Sequence, residues 1–341
     1  MERLRVKNFG PLRDVDIEFK NINIFIGTTS SGKSTIAKLV SIFKGGALDG
    51  QSPDAMQTFS KLLANYNIDF QIYPDTLIRY ENDDLFYEIE GTEFRSNISK
   101  NNIRSLNPIY IPAERVFFAT LSQSVFSLIN SDVALPKWLI DFGAKFENAR
   151  TNIKELSINF LDIQYQWKDG TDYITVADQT TIKLSQASSG IQSIVPLLLV
   201  VKHQTNPNKK EDDIFVIEEP ELNLYPSSQK DLIEFIIERV KLSEDKLIIT
   251  THSPYLLTSI DNLIQAGNVV KERPELQSEV KELVDESCWI DYENVACYYF
   301  SNGTSRSTLD EALKSIGPSN IDDISEELSS TFEGLLTLRY S

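Results

Sequence analysis

The stretch Ile22-Asn23-Ile24-Phe25-Ile26-Gly27-Thr28-Thr29-Ser30-Ser31-Gly32-Lys33-Ser34-Thr35-Ile36 decides how this chain is read. Its first five residues are apolar enough for a buried strand. Gly27 to Ser34 then match the spacing G-x-x-x-x-G-K-[ST] at every position. Beyond the loop, Ile36, Leu39, Val40 and Phe43 recur at i, i+3, i+4 and i+7, one face of an amphipathic helix. Strand, glycine-bearing loop and helix together are the context in which such a loop turns its backbone N–H groups inward around phosphate oxygens. The helix N-terminus adds roughly 0.3–1 kcal/mol of favourable field toward an anion. In this reading Lys33 reaches the β- and γ-phosphates of a nucleotide, and Ser34 places its hydroxyl on Mg2+. Gly27, Thr28, Thr29, Ser30, Ser31, Gly32 and Thr35 complete the cradle.

Upstream, Val15, Ile17 and Phe19 alternate with Asp16 and Glu18, the period of a half-buried strand. Downstream, Ile214-Phe215-Val216-Ile217-Glu218-Glu219-Pro220 puts two carboxylates straight after an apolar strand. Such charges are costly to bury unless something uses them, and a metal beside a triphosphate does. Glu218 suits the Mg2+ position, directly or through water. Glu219 suits polarising the attacking water. Leu247-Ile248-Ile249-Thr250-Thr251-His252-Ser253-Pro254 sets one of only two histidines at the end of another buried strand, where a γ-phosphate sensor belongs. Ser188-Ser189-Gly190-Ile191-Gln192 opens a helix shortly before the acidic strand.

Lysine and arginine number 33 against 50 acidic residues, a net charge of −17 that disfavours nonspecific duplex binding through phosphates. The basic cluster Arg3, Arg5, Lys7 and Arg13 reads as a solvated strand face. Apolar residues make up 41% and charged residues 24%, a globular balance rather than a disordered one. Cys288 and Cys297 are too few for a disulfide framework and read as reduced thiols of a cytoplasmic protein. The N-terminus lacks the apolar core of a secretory signal, and no stretch is long enough for a membrane span.

The four motif segments, in this order, resemble an ABC-type ATPase, within it the OLD/RecF/SMC-like group rather than membrane transporters. Leu4-Arg5-Val6-Lys7-Asn8-Phe9-Gly10-Pro11-Leu12, Glu218-Glu219-Pro220-Glu221 and Thr251-His252-Ser253-Pro254 are similar to the OLD-like branch. The resemblance implies an α/β head with a mostly parallel core sheet, an antiparallel N-terminal subsheet and an inserted α/β lobe. Residues 1–45 would form the first half of the core, 46–178 the lobe and 179–260 the second half. Residues 261–341 would be a mixed C-terminal extension, with helices expected around 309–313 and 324–338.

The resemblance further implies Mg2+-dependent ATP hydrolysis with Lys33, Glu219 and His252 as catalytic residues and Ser34 and Glu218 at the metal. Ser189, Gly190 and Gln192 would form a signature motif that contacts the γ-phosphate bound to a second subunit, and His252 would be the switch histidine. Ile191 stands where the usual signature has its second glycine, and Tyr225 where many relatives carry an aspartate. Gln71 is the candidate for the Q-loop glutamine. No Toprim nuclease pattern follows the histidine, and no heptad arms are present. The implied function is a head-to-tail dimerising ATPase switch of an anti-phage defence system, acting on a separate nuclease or toxin effector. The competing expectation is a RecF-like ATPase of DNA maintenance.

Overall fold

The computed structural model describes residues 2–48, 52–83, 85–97, 106–121, 135–205, 213–317 and 330–339. The opening hairpin pairs β1 (Glu2–Phe9) with β2 (Leu12–Phe19), Leu4 opposite Ile17 and Val6 opposite Val15. These four side chains are fully buried, while Arg3 and Arg5 on the other face both reach Asp16. The basic cluster is therefore answered within its own hairpin. β3 (Ile22–Gly27) is buried at every residue, and α1 (Lys33–Lys44) packs its apolar stripe beneath it. The helix α2 (Ala55–Asn65) precedes three strands, β4 (Leu77–Asn82), β5 (Leu85–Glu90) and β6 (Glu93–Ser96).

β7 (Asn107–Ile111) leads through a tight turn into α3 (Val116–Leu121), with α4 (Lys137–Asn152) further on. A separate four-stranded antiparallel sheet follows, made of β8 (Glu155–Ile158), β9 (Ile163–Lys168), β10 (Thr171–Thr175) and β11 (Thr181–Lys183). The helix α5 (Ser189–Gln204) contains Pro196 and is buried at every position from Ser193 to Val201. It sits inside the molecule, which explains its lack of a polar face. β12 (Asp213–Glu218), α6 (Pro226–Leu242), β13 (Lys246–Thr251) and α7 (Pro254–Glu272) alternate next, followed by the short α8 (Gln277–Leu283). β14 (Val295–Ser301) and β15 (Thr304–Ser307) form a late hairpin.

The main sheet has eleven strands in the order β6-β5-β4-β1-β2-β15-β14-β3-β13-β12-β7. Its five strands from β14 to β7 are all parallel, and β6 to β2 form an antiparallel flank. The expected parallel core with an antiparallel N-terminal subsheet is thus present. Residues 46–178 are spread over several places: 77–96 extend the flank, 107–111 form the far edge of the core, and 155–175 build the second sheet with 181–183. Residues 261–341 include β14, a central strand between β3 and β15.

The helix expected over 309–313 is absent. β16 (Leu309–Asp310) pairs there with β17 (Ser315–Ile316), and the Asp310 carboxylate accepts from the N–H groups of Ala312 and Leu313. A side chain that captures the local N–H groups in this way makes a turn rather than a helix. Residues 330–339 are helical, and the earlier part of the helix expected over 324–338 lies outside the described residues. Among the described residues no helix is long and apolar enough to cross a membrane.

Candidate functional site

Because β3, β12, β13 and β14 are parallel, their C-terminal ends share one edge, where open α/β sheets bind ligands. Gly27 opens the loop there with φ 146°, pressed so closely on β14 that a Cβ would lie 2.0 Å from the Phe300 carbonyl oxygen. Thr28 N–H donates to that same oxygen at 3.2 Å. Gly32 closes the loop at φ 101°, and a Cβ there would meet Leu12 at 2.2 Å. Neither site admits a side chain. α1 starts at Gly32 with no side-chain cap and no acidic residue in its first turn, so its N-terminal N–H groups face the loop.

The Lys33 ammonium donates to the carbonyls of Gly27 and Thr28, each at 2.9 Å. Burial pushes its pKa down to about 8, against the pull of Glu219, Glu221 and Glu218. Ser31 hydroxyl braces the loop by donating to Thr28 O at 2.7 Å. The exposed side chains of the loop are Thr28, Thr29, Ser30 and Ser34, whereas Thr35 is buried.

Glu218 ends β12 and is 5% exposed. Burial raises its carboxyl pKa, opposed by the hydroxyl of Ser34, the Lys38 ammonium and the Tyr110 hydroxyl beside it. Its Oε1 has no hydrogen-bond partner. A buried carboxylate oxygen without a partner next to the loop serine is the donor set Mg2+ takes, since that ion binds one or two protein oxygens and fills its shell with phosphate and water. The residues present therefore fit the metal.

Glu219 turns away from the strand with φ 43°, and its N–H donates to Thr250 O at 2.8 Å. Its carboxylate stands 3.7 Å from Nε2 of His252. The His252 ring is pushed below its ordinary pKa by burial and by Lys33, while Glu219 opposes the shift. Neutral imidazole is therefore the form at physiological pH. Lys33, Glu219 and His252, far apart in the chain, converge on one spot.

Three residues that motif reading left aside hold this arrangement. Glu221 Oε1 accepts from Thr251 hydroxyl at 2.7 Å and from His252 N–H at 2.8 Å, which fixes the approach of the histidine. Ser253 hydroxyl donates to Gln229 at 2.5 Å, and Gln229 donates to Leu224 O at 3.1 Å, joining α7 to the turn before α6. Arg115 is fully buried behind the acidic turn and donates to the carbonyls of Glu218 and Glu219. The third Glu of Glu-Glu-Pro-Glu was a legible signal. Arg115 offered none beyond a charge following an apolar strand.

The turn Ser188–Gln192 lies elsewhere. Ser188 caps α5 by accepting from Ile191 N–H, Ser189 is exposed, and Gly190 packs so that a Cβ would lie 2.7 Å from Asn223 O. Gln192 donates to the carbonyls of Ala187 at 2.8 Å and Ser185 at 3.2 Å. Its amide N–H groups therefore brace its own turn, while Ser189 faces outward beside the strongly exposed Tyr225 region. Gln71 is exposed.

The sequence matches the family model of the AAA ATPase domain over residues 1–131 and 118–257. The chain belongs to this family. The family match covers the loop, both acidic residues and His252, so this AAA ATPase domain holds its ATP-binding and hydrolytic groups along the edge just described. Among solved structures the chain is similar to the SMC head domain from Thermotoga maritima, at 12% identity over 91% of this chain and 98% of that one, TM-score 0.42. It is also similar to the recombination mediator protein RecF, at 11% identity over 89% and 97%, TM-score 0.38. A nucleotide-free ATP-binding cassette from an ABC transporter is similar at 14% identity over 96% of both chains, TM-score 0.36. No curated protein matches the sequence significantly.

Proposed function

We propose that this ATPase is an ABC-type switch whose two-copy closed state is made by ATP and undone by hydrolysis. ATP seats its phosphates on the N–H groups of residues 27–34 and of the first turn of α1, with Lys33 turning from Gly27 and Thr28 onto the β- and γ-phosphates. Ser34 and Glu218 would hold Mg2+, which when bound offsets the charge on the phosphate oxygens. Glu219 orients and polarises the attacking water, and neutral His252, 3.7 Å away, donates toward the γ-phosphate. The observation that carries the reading is the convergence of Lys33, Glu219 and His252 around an unpartnered Glu218 oxygen.

The outward-facing Ser189 and the packed Gly190 support a second copy, whose turn would cap the γ-phosphate from the other side. ATP then favours the closed pair through contacts that the open state lacks. We assign the output to a separate effector, a nuclease or toxin of a defence system, held or released as the pair closes. The acidic charge of −17 weighs against duplex DNA as the main partner.

Glu219→Gln tests the switch. It is expected to bind ATP as the parent does, to lose roughly 100- to 1,000-fold in turnover, and to accumulate a dimer by light scattering with ATP and Mg2+. Turnover at the parental rate removes Glu219 as the base. A monomer under those conditions removes the two-copy state. Mass analysis of the native complex with and without ATP reads the effector directly, and salt-sensitive duplex binding would turn the output toward DNA maintenance.

A further inference from the structure

We propose that Arg115 is the positioning residue for the hydrolytic carboxylate, holding the Glu219 turn from behind and tying it to the helix that presents Ser188–Gln192. The proposal rests on the reading of Glu219 as the group that polarises water.

Arg115 closes the short turn after β7 and is 0% exposed, among the largest fully buried side chains of the protein. Its planar fork donates to five main-chain oxygens. Nε reaches Ser193 at 3.2 Å; Nη1 reaches Pro112 at 3.1 Å and Glu218 at 2.8 Å; Nη2 reaches Glu219 at 2.7 Å and Pro220 at 3.1 Å. Three of the five oxygens belong to consecutive residues. Consecutive carbonyls aim the same way here because Glu219 takes a left-handed φ of 43°, a conformation that a non-glycine residue keeps only when its surroundings over-determine it.

The surroundings do so from two sides. Thr250 O holds Glu219 N–H at 2.8 Å in front, and Arg115 holds the carbonyls behind. Between these two grips the Glu219 side chain is left pointing toward His252. Burying a guanidinium is costly, and an apolar side chain fills the space without that cost. What an apolar residue lacks is a way to satisfy these inward carbonyls. Lysine has one ammonium and no fork, so it keeps the charge but not the spacing of the donors. The Ser193 contact adds a link: α5 carries the turn offered to a second copy at its N-terminus, and the same guanidinium grips α5 and the hydrolytic turn. The Glu219 carboxylate and the Ser188–Gln192 turn are thereby set relative to one another.

The test uses the full chain with Arg115→Lys, Glu219→Gln and the double variant. A non-hydrolysable ATP analogue reports binding, and steady-state turnover gives kcat and KM. Arg115→Lys is expected to keep analogue affinity and KM within about threefold while kcat falls roughly 100-fold, the loss that an ångström-scale misplacement produces. The double variant is expected to be no slower than Glu219→Gln alone, because the two residues act on one step. Parental turnover in Arg115→Lys, with Glu219→Gln inactive, overturns the role of Arg115 and leaves the base assignment standing. Loss of analogue binding in Arg115→Lys makes Arg115 a strut of the whole domain and overturns the proposal. A further 100-fold loss in the double variant separates Arg115 from Glu219 and overturns it as well. Parental turnover in Glu219→Gln removes the base assignment first, and the proposal falls with it.

Discussion

β13 and β14 lie on either side of β3, run parallel to it and end at the same edge, yet they serve the nucleotide site in different ways. β13 ends in Thr251 and His252, side chains that Glu221 orients toward the γ-phosphate position. β14 contributes no side chain to the chemistry. Its Phe300 carbonyl is a wall against which Gly27 is pressed, and it accepts the N–H of Thr28. One neighbour supplies reactive groups and the other supplies shape. A loop that binds phosphate with main-chain N–H groups needs both, because its geometry is useful only while the backbone is held.

The sharpest way to break this comparison is Gly27→Ala, which leaves β13 untouched. A Cβ at 2.0 Å from Phe300 O, at φ 146°, forces the loop off β14 at a cost of ~2–5 kcal/mol. ATP affinity is expected to fall at least about 100-fold, since every 1.4 kcal/mol is tenfold. Titration with a fluorescent ATP analogue reads it, and parental affinity would show that β14 is a bystander. His252→Ala probes the other neighbour. Turnover is expected to drop roughly 30- to 100-fold with ATP affinity changed by less than about threefold; an equal loss in both would make His252 a shape element like Phe300.

The smallest effect is a pH dependence of binding. The Lys33 pKa lies at about 8 in the free protein, lowered by burial. Its charged form binds phosphate, so affinity is flat below pH 8 and weakens as pH rises, by up to about tenfold per unit until the bound-state pKa is reached. The sign for stability is opposite. A lysine with a depressed folded pKa destabilises the fold while charged, and that penalty is relieved as pH rises from 8 toward 10.5. Lys33→Arg removes the titration, and a binding curve unchanged by that replacement would exclude Lys33 as its source.

The loop 27–34, the acidic strand end and the strand leading to His252 were legible because each is local. Five or six apolar residues, then a polar motif, specify a buried strand with its chemistry at the tip. Glu218 and Glu219 were read as a pair with separate tasks. The structure adds the cause: Glu218 still belongs to the strand and is buried, while Glu219 has left it with φ 43°. The outer connections were not legible. Nothing in Val295–Ser301 announces a strand that enters the centre of the sheet, and Asp310 capturing two N–H groups is what makes 309–313 a turn.

By itself the sequence determined the strand–loop–helix unit, the acidic pair, the lone histidine at a strand end and the order of all three, because each rests on spacing within about ten residues. Only the tertiary structure decided that Phe300 backs Gly27, that Glu221 orients His252 and that Arg115 grips residues 218–220. Those are contacts between segments distant in the chain, made through backbone oxygens that every residue type carries. A carbonyl leaves no mark in the sequence, so its partner becomes known only when the fold brings the two together.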